Sequence, residues 1–385
     1  MNPNILIFAP DDMGREYLKV YNALRDPSYT MPAARLIKTP NIDRLAQNGI
    51  TFTRAYSQPW CSPTRATWLT GRYPYQTGIG SLAEGQNQPL LNSEVCLPSA
   101  LKTATDGEYT TSAFGKWHLS EWTTRGGAYQ HPIRAGFDHF EGHLRNIDNE
   151  TYENFEGFIA APAADGTTVE TEKLNVTEWS PQYYADRAGE WIRAQNQPWL
   201  CYFAVNLPHS PYNRPPSYAY DTDLYSLPDY SPAATSDASV PTFHKAMTQG
   251  LDWTLGYLLE QIPQAQRANT IIIFWSDNGT SSSAFDTTGT TGVNLTPYLG
   301  ADYQNKAKRT VYELGCNVPL IISGARVGAP GSNNAELISS SDLFKTVIEL
   351  CGGTYGDVPL PAGGTRPSIS FADTITGAGV TSRTY

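Results

Sequence analysis

Five short runs of β-branched, aliphatic and aromatic residues constrain the fold of this chain more than any other feature. The runs are NILIFA, EYTTSAF, WLCYFAVNL, NTIIIFWS and VPLIIS, at residues 4–9, 108–114, 199–207, 269–276 and 318–323. Most of them are apolar throughout and do not alternate with polar residues, which is typical of strands buried on both faces of a sheet. The runs therefore predict the strands of a central, largely parallel sheet.

Amphipathic segments between these runs predict helices. They span residues 40–48, 62–70, 183–195, 241–261 and 341–351. Thr39 and Gly49 fit the N-cap and the end of the first helix, and Ser62 and Gly71 repeat this pattern around the second. The alternation of strands and helices predicts an α/β fold, with a doubly wound sheet and helices on both faces. In such a fold, ligands bind beyond the carboxyl ends of the strands.

The composition is that of a globular protein and argues against two classes of partner. The chain has 385 residues, of which 40% are hydrophobic, and no window is long and apolar enough to predict a membrane span. The formal net charge of -10 disfavours nucleic acid as the main ligand, so any anion site needs a local group of basic residues. The N-terminal apolar run is too short for a signal peptide. We therefore expect either a cytoplasmic protein, or a periplasmic or secreted one whose leader has been removed.

Two stretches without helix or strand periodicity predict long ordered loops. Residues 211–240 are rich in Pro, Ser, Asp and Tyr, and residues 279–300 are rich in Gly, Thr and Ser. Because loops at one end of a sheet often carry binding residues, we expect both stretches to frame a site.

Two of the predicted strands are followed directly by acidic or amide side chains. Asp11 and Asp12 follow the first run, and Asp277 and Asn278 follow the fourth. If both strands end at the same edge of the sheet, three unneutralised carboxylates there would repel one another. Oxygen ligands of this kind favour a hard cation, Ca²⁺ or Mg²⁺, over zinc. Each pair taken singly is equally compatible with a turn or a helix cap, where Asp and Asn are frequent.

Cys61 comes directly before the helix that Pro63 opens. This position lies near free backbone N–H groups and the positive end of the helix dipole, which would lower the pKa of the thiol and suit an anionic ligand. An isolated cysteine is more often simply buried. A cysteine loop of the tyrosine-phosphatase kind needs an arginine six residues later, and that position is Thr67, so this alternative is excluded.

The spacing from Cys61 through Pro63 to Arg65 fits the motif C-x-P-x-R. With this motif the chain resembles the type I sulfatases of the alkaline-phosphatase-like superfamily, in which the motif cysteine is oxidised to formylglycine. The resemblance extends from residue 4 to about residue 323 and includes further segments in the family's order. These segments are PNILIFAPDDMG, TPNIDRLAQNGITFTRAYS, CSPTRATWLTGRYP, GKWHLS, NLPHSPYNRPP, WSDNG and KRTVYELG.

The resemblance implies a modified cysteine and a bound metal ion. A formylglycine-generating maturation enzyme would convert Cys61 into an aldehyde, whose hydrate carries two hydroxyls. One hydroxyl attacks a sulfate ester, and the other loses its proton and expels sulfate, which restores the aldehyde. The resemblance also implies Ca²⁺, with Mg²⁺ as the alternative, bound by Asp11, Asp12, the modified Cys61, Asp277 and Asn278.

Three further side chains receive roles in orientation and proton transfer from the resemblance. Arg65 would hold the aldehyde hydrate and the acidic residues in register. His118 would assist deprotonation of the hydrate, and His209 would protonate the departing alkoxide, because a histidine titrates near neutral pH.

Lysines would bind the sulfate group itself. The resemblance assigns this role to Lys116, which alternates with His118 at a predicted strand end, so that both side chains are expected to point the same way. Lys308 would supply a second ammonium group. Lys306 is close enough in sequence to leave the second assignment open.

The resemblance implies one sulfatase catalytic α/β domain over residues 1–370. Residues 371–385 resemble the approach to the family's small C-terminal sheet subdomain, which we expect to be absent or truncated. The first functional hypothesis is a sulfatase that acts on a sulfated small molecule or glycan. Two alternatives stay open: a phosphonate monoester or phosphodiester hydrolase of the same superfamily, and a non-catalytic glycan- or anion-binding protein in which Cys61 is unmodified.

Overall fold

A ten-stranded sheet forms the centre of the fold. The computed structural model describes residues 2–25, 30–33, 36–84, 87–120, 127–147, 151–165, 168–225, 227, 239–285, 302–361 and 364–380. Within these residues the strands are β1 (Asn4–Phe8), β2 (Gly49–Phe52), β3 (Ala55–Tyr56), β4 (Thr110–Lys116), β5 (His139–His143), β6 (Phe155–Pro162), β7 (Val169–Val176), β8 (Trp199–Ala204), β9 (Thr270–Trp275), β10 (Leu320–Gly324), β11 (Ser332–Asn334) and β12 (Ile338–Ser339). Their order across the sheet is β11-β2-β10-β9-β1-β8-β4-β5-β6-β7, and β12 pairs separately with β3.

The five central strands β9, β1, β8, β4 and β5 are parallel to one another. Strand β10 joins β9 in antiparallel orientation, and the antiparallel strands β6 and β7 extend the other end of the sheet. The predicted doubly wound, largely parallel sheet is therefore confirmed, with antiparallel strands added on both sides. The sequence does not predict β7, because VETEKLNV is mostly exposed and lacks an apolar pattern.

Helices cover both faces of the sheet. In the described residues they are α1 (Lys19–Asn22), α2 (Pro40–Gln47), α3 (Cys61–Thr70), α4 (Pro74–Thr77), α5 (Leu97–Ala104), α6 (His131–Arg134), α7 (Ser180–Arg193), α8 (Val240–Gln261), α9 (Gln264–Ala268), α10 (Glu313–Cys316), α11 (Asp342–Leu350) and α12 (Ala372–Thr376). Ile5 and Ile7 of β1 pack in one hydrophobic core with α3, α5 and α11, whereas Leu6 and Phe8 pack in another with α2, α7 and α8. This burial on two sides explains why the central strands are apolar throughout.

The N-terminus of α2 is capped from another helix and not by the residue that the sequence predicts. The Thr39 hydroxyl makes no capping hydrogen bond and is buried without a partner among the described residues. The carboxylate of Asp252 in α8 accepts hydrogen bonds from the backbone N–H of Ile42 at 2.8 Å and of Asn41 at 3.2 Å. The predicted cap at Thr39 is therefore wrong, because a tertiary contact satisfies these donors.

Asp252→Ala is expected to lower the free energy of unfolding by about 2 kcal/mol, because two backbone donors lose their buried acceptor. Thr39→Val is the matched control. It removes a hydroxyl without a partner and should change the free energy of unfolding by less than about 0.5 kcal/mol. Urea denaturation measures both changes. A larger loss for Thr39→Val than for Asp252→Ala would contradict this assignment of the cap.

The parallel register of β1 and β9 brings the predicted metal ligands to one edge of the sheet. Phe8 is the register partner of Phe274, and beyond the strands the N–H of Asp277 donates to Pro10 O at 3.1 Å. The side chains that follow both strands are buried, namely those of Asp11, Asp12, Asp277 and Asn278. The sheet topology thus places these four side chains at one edge, as the sequence predicts, and their role as metal ligands stays a prediction.

The described C-terminal residues pack onto the main core. Phe371, the N-cap of α12, and Ile375, in its last turn, are completely buried in the same hydrophobic core as α11. The domain boundary at residue 370 and the truncated subdomain stay predictions. Among the described residues, no helix combines the length and apolar character needed to cross a membrane.

Candidate active site

Cys61 is the first residue of α3. Trp60 before it is the N-cap, with an extended backbone, and Gly71 ends the helix with a φ of 65°. Its side chain is completely buried, and its Sγ lies 3.4 Å from Asp11 Oδ1 and 3.5 Å from Lys308 Nζ. Burial and the Asp11 carboxylate raise the pKa of the thiol, so the prediction that the helix N-terminus lowers it is wrong. A protonated thiol is a weak nucleophile.

Asp11 and Asp12 supply two buried carboxylates beside Cys61. Asp11 Oδ2 lies 2.6 Å from Lys116 Nζ, and Asp12 Oδ1 lies 2.5 Å from Lys308 Nζ. Burial by itself would raise the pKa of both aspartates, but nearby cations, with Lys116 and Lys308 foremost, hold both values below normal. Both groups are therefore carboxylates at neutral pH.

Arg65 and Asp277 form a fully buried ion pair next to these acids. Arg65 Nη2 and Nε lie 2.8 and 3.2 Å from Asp277 Oδ2. The Nη1 group of Arg65 donates to Lys116 O at 3.0 Å and to the Tyr202 hydroxyl at 3.3 Å. Burial and the neighbouring Asp11 raise the pKa of Asp277 to about 7, against the opposing effect of Arg65. Arg65 thus connects the ends of β4 and β9 beneath the site, and its role in holding the aldehyde hydrate in register stays a prediction.

His118 is a buried, neutral imidazole. Burial lowers its pKa well below the ordinary value, and neither ring nitrogen has a hydrogen-bond partner among the described residues. Its Nε2 lies 3.5 Å from Glu84 Oε2. Strand β4 ends at Lys116, and the φ of His118 is 59°, which is not a strand conformation. The prediction that the side chains of Lys116 and His118 point the same way assumed a continuous strand, and this assumption is wrong. A neutral ring of this kind can accept a proton.

His209 lies on the loop after β8 and faces Asp12. Its Nε2 is 3.7 Å from Asp12 Oδ2, and its Nδ1 is 2.5 Å from Ser210 O. Because a carbonyl oxygen only accepts hydrogen bonds, Nδ1 carries a proton and Nε2 is free to bind or release one. Burial lowers the pKa of His209, whereas the carboxylates of Asp12 and Asp11 favour its protonated form.

The structure distinguishes Lys308 from Lys306, a choice that the sequence leaves open. The Lys308 side chain is 8% exposed, and its amino group contacts both Asp12 and Cys61. Lys306 Nζ lies over the Tyr312 ring, 5.8 Å from its centroid. Lys308 is therefore the lysine of this pair that the fold brings to the site.

The side chains at this site lie close enough together to hold a metal ion. Four potential ligand atoms lie within 4.8 Å of one another, and they belong to Asp11, Asp12, Cys61 and His209. The side-chain oxygen of Asn278 is buried without a hydrogen-bond partner in the described part of the chain, while its nitrogen donates to Asp12 at 2.8 Å. An unpartnered amide oxygen beside carboxylates is a typical donor for Ca²⁺ or Mg²⁺. Asp277, which the sequence also predicts as a ligand, pairs with Arg65.

A pocket of about 250 Å³ opens above Cys61. It is lined by Asp12, Trp60, Cys61, Leu82, Glu84, Asn146, His209, Ser210, Ser281, Lys308 and Arg309. The sequence predicts no role for Trp60 or Arg309. The one indication in the sequence is that each lies next to a predicted site residue, Cys61 or Lys308. Glu84 and Asn146 lie outside the motifs quoted above, so the sequence does not indicate them as site residues. Ser281 belongs to the predicted loop at 279–300, of which residues 286–300 lie outside the described residues, as do 226 and 228–238 of the loop at 211–240.

A comparison with protein families identifies the group to which this site belongs. A sequence model of the sulfatase family matches residues 3–353. The chain belongs to the sulfatase family. The resemblance that the motifs carry, from PNILIFAPDDMG to KRTVYELG, is thereby confirmed.

Curated relatives of this sulfatase include enzymes named for a sulfated amino sugar. The chain is 30% identical to human N-acetylgalactosamine-6-sulfatase over 376 residues, which cover 91% of the chain and 62% of the relative. It is 26% identical to the N-acetylgalactosamine-6-O-sulfatase of Bacteroides thetaiotaomicron over 441 residues, covering 100% of the chain and 78% of that protein. The chain thus spans less than two thirds of the length of the human relative.

Solved structures share the fold over nearly the whole chain. Ps i-CgsB, solved in complex with k-i-k-neocarrahexaose, has a TM-score of 0.68 and 25% identity, and the match covers 92% of this chain and 73% of that one. The PsFucS1 sulfatase from Pseudoalteromonas sp. has a TM-score of 0.70 and 24% identity, with coverage of 98% and 72%. These matches agree with the alkaline-phosphatase-like fold.

Proposed function

We propose that this member of the sulfatase family hydrolyses a sulfate ester of a glycan, with residue 61 in its formylglycine form as the nucleophile. One observation carries the proposal: Cys61 lies within 3.5 Å of Asp11 and Lys308 at the bottom of a pocket. The glycan is inferred from relatives named N-acetylgalactosamine-6-sulfatase and from a related structure that holds a neocarrahexaose.

A divalent cation, Ca²⁺ or Mg²⁺, would be held by Asp11, Asp12, Asp277 and Asn278 beside residue 61. When bound, such a cation polarises sulfate oxygens and makes a nearby hydroxyl more acidic. The buried carboxylates and the unpartnered Asn278 oxygen support this part of the proposal. Because Arg65 already pairs with Asp277, it would orient that carboxylate and leave the ligand set intact.

The protein's own side chains divide the remaining work. Lys116 and Lys308 bind the sulfate oxygens and stabilise the charge that shifts onto them. His118 accepts the proton of the attacking hydroxyl, since its buried ring is neutral. His209 donates a proton from Nε2 to the departing alkoxide, and its Nδ1–H contact with the Ser210 carbonyl fixes the ring for this transfer.

Lys308→Ala is expected to lower kcat/KM for an aryl sulfate by about 100-fold, the scale of losing one preorganised donor to developing negative charge. Lys306→Ala is the matched control, because it removes a lysine of the same segment that lies over Tyr312. It should stay within about twofold of the wild type. Steady-state kinetics on both variants measure the difference, and similar losses in the two would contradict the assignment.

Matched esters test the reaction class. Protein produced together with a formylglycine-generating enzyme is given an aryl sulfate and the corresponding phosphate and phosphonate esters, followed by 6-sulfated N-acetylgalactosamine. We expect kcat/KM for the sulfate ester to exceed the others by at least about 10-fold. A faster reaction with the phosphorus esters would favour the phosphodiester or phosphonate hydrolase. Absence of all turnover in protein that keeps an unmodified thiol at residue 61 despite the maturation enzyme would favour a binding protein.

Chelation tests the cation separately. Removal of divalent ions by EDTA is expected to abolish turnover, and re-addition of Ca²⁺ or Mg²⁺ one at a time identifies the ion that restores it. Full activity after exhaustive chelation would contradict the metal part of the proposal.

A further inference from the structure

Arg309, the residue after Lys308, has a backbone conformation that arginine rarely adopts. Its φ is 76°, in the left-handed region that favours glycine. Its N–H donates to Pro59 O at 3.0 Å, which ties this backbone to the segment just before Cys61. Unfavourable conformations of this kind persist where the surrounding structure enforces them, and they concentrate at binding sites.

The Arg309 side chain lies at the rim of the pocket above Cys61. Its guanidinium is 5.1 Å from the centroid of the Trp60 ring, and both residues line the pocket. Stacking on an aromatic ring orients the planar guanidinium but leaves its charge uncompensated. No carboxylate among the described residues forms an ion pair with Arg309. The rim therefore presents an oriented and unpaired positive charge.

A second pocket of about 260 Å³ adjoins the one above Cys61 and shares four lining residues with it, Ser210, Ser281, Lys308 and Arg309. We call it the hydroxyl pocket; its lining consists of Ser210, Tyr212, Ser281, Ser282, Ser283, Lys308 and Arg309. The Tyr212 hydroxyl lies 3.3 Å from Ser283 Oγ, which lies 3.1 Å from Ser281 Oγ. Hydroxyl groups both donate and accept hydrogen bonds, so this lining suits the polar rim of a sugar ring.

The charges of the two pockets differ. Beside Cys61, the cations are Arg65, Lys116 and Lys308, and each contacts one of the carboxylates of Asp277, Asp11 and Asp12. Arg309 has no such partner in the described chain, and in the hydroxyl pocket it lies with Lys308 and the hydroxyl groups of serine and tyrosine side chains. Because Lys308 already contacts Asp12 and Arg309 contacts no carboxylate in the described chain, Arg309 is the cation that can bind an anion other than the sulfate group at Cys61.

We propose that Arg309 and the hydroxyl pocket bind a second anionic group, a carboxylate or a sulfate, on the sugar next to the one that is desulfated. The inference rests on the proposed function, because it takes the sulfate ester at Cys61 as the first group. Arg309 donates to the second anion in a charge-assisted contact, and Ser281 and Ser283 bind the neighbouring sugar hydroxyls. The preferred substrate is accordingly a glycan with acidic groups on adjacent sugars.

Binding is measured by calorimetry on a Cys61→Ala background, so that it does not depend on turnover. Three disaccharides carry the same sulfate ester and differ in the neighbouring sugar, which is a uronic acid, a sulfated sugar or a neutral sugar. Arg309→Ala is expected to weaken binding of the acidic disaccharides by about 10-fold and to affect the neutral one much less. The two acidic disaccharides show whether a carboxylate or a sulfate is preferred. Equal losses for all three ligands, or no loss, would overturn the proposal.

Two further variants separate a charge effect from other causes. Arg267→Ala removes an exposed arginine of α9, at the amino end of β9 and away from the site, and should leave the preference for acidic disaccharides unchanged. Arg309→Gly should lose the preference and also raise the midpoint of thermal unfolding, because it relieves the left-handed backbone. A lowered midpoint in Arg309→Gly would show that the arginine serves the fold.

Kinetics on the matured wild type keep this proposal distinct from the proposed function. If the protein prefers acidic disaccharides through Arg309 but hydrolyses none of them, the sulfatase reaction is rejected and the second binding site remains. If it hydrolyses the sulfate ester with equal kcat/KM in all three disaccharides, the sulfatase reaction stands and the second binding site is rejected.

Discussion

Cys61→Ala is expected to lower kcat/KM for a sulfate ester by at least about 10⁴-fold, the scale of losing a nucleophile while the rest of a site is kept. The thiol itself is a poor candidate for that nucleophile, because burial and Asp11 raise its pKa. An aldehyde hydrate at the same position avoids the difficulty, since one of its hydroxyls attacks and the other expels sulfate. A serine or an unmodified cysteine lacks this second hydroxyl.

Cys96→Ala is the matched control for this variant. Cys96 is also buried, and it also precedes a helix, α5, that has a proline in its first turn. It lacks the arginine four residues later that completes the motif around Cys61, because that position is Ala100. We expect Cys96→Ala to keep activity within about twofold. Comparable losses in the two variants would indicate damage to the fold.

Peptide mass spectrometry checks the chemical state directly. In protein from a host with the maturation enzyme, the peptide with Cys61 should have the mass of formylglycine, and the peptide with Cys96 should keep its thiol. Active protein with an unmodified thiol throughout would contradict the proposed mechanism.

The sequence predicts the sheet and the position of its acidic residues because both follow from local pattern and one topological rule. Runs that are apolar throughout mark strands that are buried on both sides, and parallel neighbours end at the same edge. Asp11 and Asp277 follow two such strands, which proved to be adjacent. The prediction of their proximity therefore needed no knowledge of side-chain contacts.

Other features depend on tertiary contacts that no local pattern encodes. The donors at the start of α2 are satisfied by Asp252, more than two hundred residues away along the chain. The motif favours Lys308, but Lys306 is close enough in sequence to leave the assignment open, and the fold of this segment decides between the two lysines. The thiol pKa was predicted with the wrong sign because the helix dipole is readable from sequence, whereas the burial that outweighs it is not.

The ion pair of Arg65 and Asp277 can be predicted from the sequence only in part. The spacing of Arg65 from Cys61 is visible in the sequence, but its partner across the site is not. Both side chains have no exposed surface, and the pKa of Asp277 is raised to about 7 even with the guanidinium beside it. A buried ion pair adds little net stability, because desolvation offsets the attraction, but a buried charge left without its partner is strongly unfavourable.

Arg65→Met is therefore expected to lower the free energy of unfolding by about 3–5 kcal/mol, since Asp277 loses its one ion-pair partner among the described residues. Urea denaturation in a chelating buffer measures the loss without a metal ion that could replace the guanidinium. Arg44→Met, on the exposed face of α2, is the control and should change the free energy of unfolding by less than about 0.5 kcal/mol. Arg65→Lys keeps the charge but not the two-point contact, so its loss should fall between the two. If Arg65→Met and Arg44→Met have the same free energy of unfolding, the prediction is wrong. Asp277 would then be protonated and uncharged in the native state, so that its burial would not require the guanidinium of Arg65.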